Sequence, residues 1–153
     1  MTPQQQQILD LVKQVNDRDF ASWFNPSEVM AFCQIESAFR PHAYRYESRL
    51  GEGSYGLMQV LASTARQVDA NITNPEMMYD PEIGLRTGMK VAKVYWEQLT
   101  GRLNRDPSYE EWADSYNRGV GGVLRDLSAV DDHAYPQAWD NAQSYWEAQG
   151  VDG

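Results

Sequence analysis

Asn25-Pro26-Ser27-Glu28-Val29-Met30-Ala31-Phe32-Cys33-Gln34-Ile35-Glu36-Ser37-Ala38-Phe39 is the stretch on which the reading of this chain turns. Asn25 is a good N-cap and Pro26 suits the first helical position, so a helix starts here. Val29, Phe32, Cys33 and Glu36 then share one face at i, i+3, i+4 and i+7, the spacing of a core-facing stripe. Three of the four are apolar or nearly so, and the fourth is a carboxylate. Burial disfavours the charged form of a carboxylate and raises its pKa. A carboxyl group still protonated near neutral pH can act as a general acid. The competing reading turns Glu36 off the stripe or pairs it with an arginine. From helix geometry alone that is the commoner outcome, because structural ion pairs also perturb ionisation.

Working outward, the rest of the chain also reads as helices. Ile8, Leu9, Leu11, Val12 and Val15 give a helical pattern over residues 4–15. The second helix stops before Pro41. Residues 44–55 are loop-like, punctuated by Gly51 and Gly53, and Ser63 is expected to cap a short helix reaching Val68. Asp80-Pro81-Glu82 opens a long helix expected to run to about Leu99 and to end at Gly101. Ser108 and Glu111 form a capping box for the next helix, whose stripe is Tyr109, Trp112, Ala113 and Tyr116. Val120, Val123, Leu124 and Leu127 continue in another short helix. A last helix follows Tyr135-Pro136, with Trp139, Ala142, Tyr145 and Trp146 expected to face inward. No segment sustains a period of two. The expected fold is therefore all-α, or α with a minor β-hairpin, in a single domain over residues 1–153.

Downstream of Glu36-Ser37-Ala38-Phe39-Arg40-Pro41 come Gly56-Leu57-Met58-Gln59-Val60 and then Ser115-Tyr116-Asn117-Arg118-Gly119. A helix-ending Glu-Ser, a Gly-Leu-Met-Gln and a distal Tyr-Asn-x-Gly, in that order, resemble the soluble lytic transglycosylase catalytic domain and its goose-type lysozyme relatives. The resemblance spans most of the chain. It implies a lysozyme-like fold of about six to eight helices, with a small sheet available within residues 44–61. It also reverses the odds on Glu36.

The resemblance implies that Glu36 donates a proton to the glycosidic oxygen between N-acetylmuramic acid and N-acetylglucosamine. Hydrolytic glycosidases usually show a second carboxylate. Glu47 and Glu52 precede Gly56, but the aspartates of goose-type lysozymes find no clear match. In lytic transglycosylases one glutamate serves as acid and then as base, and the sugar's own 6-hydroxyl closes a 1,6-anhydro ring. The missing second carboxylate leans toward that chemistry. Glu52 keeps hydrolysis in play as a supporting catalytic residue, against the plainer role of a solvated loop acid. The resemblance further implies substrate contacts from Ser37, Ser54, Tyr55, Gly56, Met58, Gln59, Asn117 and Arg118. It implies too that the Tyr116 hydroxyl points at the catalytic glutamate and tunes it. Arg118 stands where family members often carry Ala, and it could meet a muramyl carboxylate or a peptide stem.

Composition sets the outer limits. The chain has 153 residues, 42% hydrophobic and 23% charged, with a formal net charge of −9. That is one domain with a real core. The acidity argues against nucleic acid and anionic lipid as partners, and no stretch approaches membrane-spanning length. Affinity for an anionic cell wall has to come from stacking and hydrogen bonds, to which five Trp and nine Tyr are suited. One cysteine, Cys33, and two histidines, His42 and His133, make a cysteine nucleophile or a zinc site unpromising. Neither cofactor nor metal is expected. Residues 1–7 lack the basic and apolar regions of a signal peptide. The expectation is a monomer acting on peptidoglycan glycan strands at the cell wall. Delivery is expected as a phage lysin or virion component, or from a chain whose leader was replaced by Met1. The alternatives are a hydrolytic muramidase and a wall-binding protein that kept the fold without the activity.

Overall fold

A computed structural model describes residues 1–153. Helix α1 spans Pro3–Phe20 and is closed at its start by Thr2, whose hydroxyl accepts from the Gln5 amide. Helix α2 spans Pro26–Ser37 behind the Asn25 cap. The joint between them is fixed by buried Asn16, whose amide donates to the Phe24 carbonyl at 2.8 Å and accepts from its N–H at 3.1 Å. Strands β1 (Tyr44–Glu47), β2 (Glu52–Tyr55) and β3 (Val60–Leu61) follow as an antiparallel sheet in that order. Then come α3 (Ala62–Val68), a 3-10 turn (Pro75–Tyr79), α4 (Pro81–Leu103), α5 (Tyr109–Arg125), a second 3-10 turn (Leu127–Asp132) and α6 (Ala134–Ala148).

The helices pack into one layered bundle in which α2 lies against α6, α6 against α5, α5 against α4, and α4 against α1. Their apolar faces meet in a continuous core that includes Val29, Phe32 and Cys33 from α2, Met58 from the turn after β2, and Met89 from α4. Aromatic rings form its centre. Trp112 meets Phe32 and Trp139 edge-on, with ring centroids 5.3 Å and 5.8 Å away. A smaller cluster of Leu99, Val123 and Val130 fills the joint between the end of α4 and the second half of α5.

The helical expectation holds, and its departures have local causes. Residues 44–61 form a three-stranded sheet, more regular than a loop, because β2 pairs with both neighbours. Ser63 is not the cap of α3. The N-cap is Leu61, and Glu52 accepts from the Ser63 amide at 2.8 Å and its hydroxyl at 2.7 Å. Gly101 does not end α4, which continues to Leu103 and closes on Asn104 in the left-handed conformation. Tyr145 faces outward, 52% exposed, and packs edge-on against Trp146. Tyr109 too is 49% exposed, its ring laid over Trp139. Helix α5 is broken at Gly119, with φ 80° and ψ 158°, a conformation open to glycine. The two helical segments expected from the sequence are thus nearly continuous, and Leu127 falls outside the second, in the following 3-10 turn.

Candidate active site

Glu36 stands in the last turn of α2, beside the carbonyls of the helix end. Ala38 and Phe39 both turn left-handed there, at φ 51° and 62°. That end is held down by Ser37, which is buried and whose hydroxyl donates to the carbonyls of Cys33 and Leu57 at 3.1 Å and 2.7 Å. The second bond leaves the helix and reaches the Gly56-Leu57-Met58-Gln59 turn.

This turn is gripped at three successive carbonyls. Gln59 Nε2 donates to Gly56 O at 3.0 Å, Ser37 to Leu57 O, and the Tyr116 hydroxyl to Met58 O at 2.6 Å. Gln59 itself is left-handed, at φ 51°, and its amide also donates to Ala43 O while accepting from Ser54 Oγ. Gly56, at φ 83°, lies so near the 3-10 turn that a Cβ there would sit 2.5 Å from the Met78 carbonyl. The sequence segments that stood far apart are therefore parts of one clamp.

Several expected contacts change as a result. Tyr116 does not bond Glu36; its ring packs on Phe32 with centroids 4.7 Å apart and its hydroxyl is taken by Met58. The Met58 side chain is fully buried and faces the core. Gly56 gives its close approach to Met78, and Ser37 gives its hydroxyl to the backbone. Tyr55 packs against Tyr44 and Tyr79 at 5.1 Å and 5.7 Å between centroids. Glu52 is committed to the start of α3 and lies outside the cavity described next. Arg118 is bound to Asp114, with Nε to Oδ1 at 3.0 Å and Nη2 to Oδ2 at 2.5 Å.

A cavity of about 290 Å³ opens where α2, the sheet, α5 and α6 converge. Glu36, Arg45, Glu47, Ser54, Gln59, Tyr116, Asn117 and Tyr135 line it. Of the residues expected from the sequence, Glu36, Ser54, Gln59, Tyr116 and Asn117 thus come together. Tyr135 was not among them. Its hydroxyl donates to Glu36 Oε2 at 2.5 Å, across 99 positions of chain. Glu36 Oε1 takes none of the chain's hydrogen bonds. A larger cavity of about 730 Å³, between the end of α1 and α4, contains none of these residues.

Burial pushes Glu36 up to about 7. The Tyr135 hydroxyl and the Arg45 charge pull it down, and the Glu47 charge pushes it up again. Burial and the Glu36 charge hold the Tyr135 hydroxyl well above the ordinary tyrosine value, so it stays a donor. Cys33, one turn back on the same face, is fully buried and its thiol is pushed up, which suits a small core residue rather than a nucleophile. No group of three or more His, Cys, Asp or Glu side chains is placed to hold a metal ion. The arrangement can give a proton to a group entering the cavity and take one back at neutral pH. No helix is long and apolar enough to cross a membrane.

Comparison with known proteins agrees with the earlier resemblance. The family model for the transglycosylase SLT domain matches residues 16–137. Membrane-bound lytic murein transglycosylase C of Glaesserella parasuis serovar 5 (strain SH0165) is 28% identical over 125 residues, covering 76% of this chain and 32% of that protein. The protein of the same description from Actinobacillus pleuropneumoniae serotype 5b (strain L20) is 29% identical over 126 residues, covering 78% of this chain and 32% of its own length. The chain thus spans about a third of the length of the curated relatives it matches. No solved structure matches it.

Proposed function

The chain belongs to the transglycosylase SLT domain family, and from that premise we propose that it cleaves the MurNAc-β-1,4-GlcNAc bond of peptidoglycan glycan strands as a lytic transglycosylase, acting as a monomer. The observation that carries this reading is a carboxyl raised by burial at the wall of this cavity, Glu36, held at one oxygen by Tyr135 with the other oxygen free. With Oε2 occupied as an acceptor, Oε1 is the oxygen that carries the proton toward the cavity. A group near 7 is protonated often enough to give a proton to the leaving oxygen and basic enough to recover one. The two steps need no second enzyme carboxylate when the attacking 6-hydroxyl belongs to the sugar. Glu36 then takes the proton of that hydroxyl as it closes on the anomeric carbon, and the carboxyl is restored.

One observation favours a second reading. Glu47 lines the same cavity as Glu36, and its nearest partners are Ser54 Oγ at 3.3 Å and Arg45 Nε at 3.6 Å. It is the carboxylate a hydrolase would use to position water. Mass spectrometry of the products from the unaltered protein and from Glu47→Gln decides between them. Anhydromuramyl ends with turnover largely kept by Glu47→Gln support the transglycosylase. Reducing ends with severe loss in Glu47→Gln support the hydrolase. No release of soluble glycan from either overturns both.

A further inference from the structure

The chain carries 13 Lys and Arg against 22 Asp and Glu, yet one groove is lined by four arginines and a single acid. Arg45, Arg49, Arg118 and Arg125 face a depression of about 790 Å³ with Glu47 as its carboxylate. Arg45, Glu47, Leu50 and Asn117 also line the cavity that holds Glu36, so the two spaces adjoin.

The four arginines are not equivalent. Arg118 is neutralised by fully buried Asp114, and its Nη1 donates to Gly122 O at 3.2 Å, so it serves as a fixed wall. Arg45 has only Glu47 at 3.6 Å, and its side chain is 76% exposed. Arg49 and Arg125 have no ion-pair partner. Gly122 lies beside two of them. A guanidinium nitrogen of Arg118 and one of Arg125 each lie 3.9 Å from where a Cβ on Gly122 would stand. Like charges gathered this way repel unless an anion joins them. The planar forks of free guanidinium groups match carboxylates in particular. Tyr46 and Leu50, 58% and 61% exposed, add apolar surface beside them.

We propose that this groove binds the carboxylates of the peptide stem borne by the muramyl residue, so that Arg49 and Arg125 make the protein selective for peptide-bearing over bare glycan strands. The proposal rests on the peptidoglycan reading above. The stem is favoured over a separate anionic polymer because the groove shares a wall with the cavity itself. A strand seated at Glu36 has its substituents within reach of it. The charge noted in the sequence at Arg118 is thereby reassigned: Arg118 is spent on Asp114, and the free cations are its neighbours.

The test uses the double variant Arg49→Gln with Arg125→Gln. Its kcat/KM and that of the unaltered protein are measured on peptide-bearing strands and on strands stripped of stems by an amidase. The ratio of the two kcat/KM values is expected to fall about tenfold in the double variant, mostly through KM. The effect should shrink at high ionic strength. Equal loss on both substrates, or no loss on either, overturns the proposal. If the unaltered protein cleaves neither, the functional reading fails by itself. The groove is then judged by titrating a soluble tetrapeptide stem and following the amide resonances of Asn117 and Gly122. Saturable shifts lost in the double variant sustain it. Absence of saturation by the unaltered protein, or saturation by poly(glycerol phosphate) but not by the stem, overturns it.

Discussion

Helix α2 carries a glutamate near each end, one buried and one half-buried, and the two look alike until their surroundings are compared. Glu28, in the first turn, is 6% exposed and pushed up to about 7 by burial, with the Asp152 charge adding to it and the Asn25 amide opposing it. Glu36, in the last turn, is also pushed up to about 7, again by burial. Glu28 Oε1 accepts from the Asn25 amide at 2.9 Å, completing a helix cap. Glu36 accepts from a tyrosine hydroxyl brought in by another helix and keeps an oxygen facing a cavity. A displaced ionisation therefore does not distinguish a cap from an acid. Both glutamates line a cavity, so the distinction lies in what else lines it and in who supplies the first oxygen's partner.

Exchange of Glu36 for Gln is expected to give the largest effect. The amide can accept the Tyr135 bond but cannot give and recover a proton, and cleavage should fall by about 10²–10⁴-fold. The fold should gain stability at pH 8, because the cost of an ionised carboxylate in that site disappears. Cleavage of purified peptidoglycan and a thermal melt on one preparation check both. Turnover near that of the unaltered protein would remove Glu36 from the chemistry.

Tyr135→Phe comes next. Without the hydroxyl the charged form of Glu36 loses its donor, so its ionisation moves above 7. A general acid works while protonated, so the alkaline limb of the pH profile should move to higher pH. A hydrogen bond to a charged group is worth about 1.5–3 kcal/mol, which predicts a fall in turnover of roughly ten- to a hundredfold. A lower turnover with an unmoved limb would make Tyr135 a packing residue. Tyr116→Phe is the milder companion. It leaves the Met58 carbonyl without its donor inside the core, and stability should drop by about 1–3 kcal/mol. Turnover should fall by less than about tenfold, with the alkaline limb in place.

Glu28→Gln should change activity least. In both glutamates the folded chain holds the proton more tightly than the unfolded chain, whose glutamates titrate near 4.5. The contribution of these groups is thus most favourable below about that pH, and stability is lost as pH rises toward 7. Glu28→Gln keeps a cap acceptor and removes one such loss. Its melting point should rise by a few degrees at pH 8, on the order of 1–3 kcal/mol, and hardly at all near pH 4.5. Unchanged cleavage in this variant, beside the loss in Glu36→Gln, would complete the contrast between the two ends.

The sequence reveals those parts of the site whose signals are local. The apolar stripe with a carboxylate in it could be seen within fifteen residues, and the helix caps at Asn25, Asp80 and Ser108 within four. Tyr135 could not, because its partner lies 99 residues away and nothing about the first turn of α6 says which way a tyrosine will point. The same applies to Glu47 and Glu52, which stand opposite each other in the β1–β2 ladder. The cavity takes Glu47 while α3 takes Glu52, and only the fold separates them. Tyr116 lines the same cavity as Glu36, but its hydroxyl goes to a carbonyl rather than to the carboxylate. A side chain's neighbourhood follows from periodicity, whereas its hydrogen-bond partner depends on packing angles that no pattern records.

The grip on three successive carbonyls has a further consequence for when this protein can work. Its fingers come from α2, from the turn itself and from α5, and the hydroxyl that steadies Glu36 comes from α6. A chain emerging from the ribosome offers Glu36 first and Tyr135 only 99 residues later. Until α6 docks, Glu36 has neither its hydrogen-bond donor nor the helix that packs against α2. Completion of the fold is thus a safety catch on one carboxyl: a half-made or half-melted copy carries Glu36 without the surroundings that raise it.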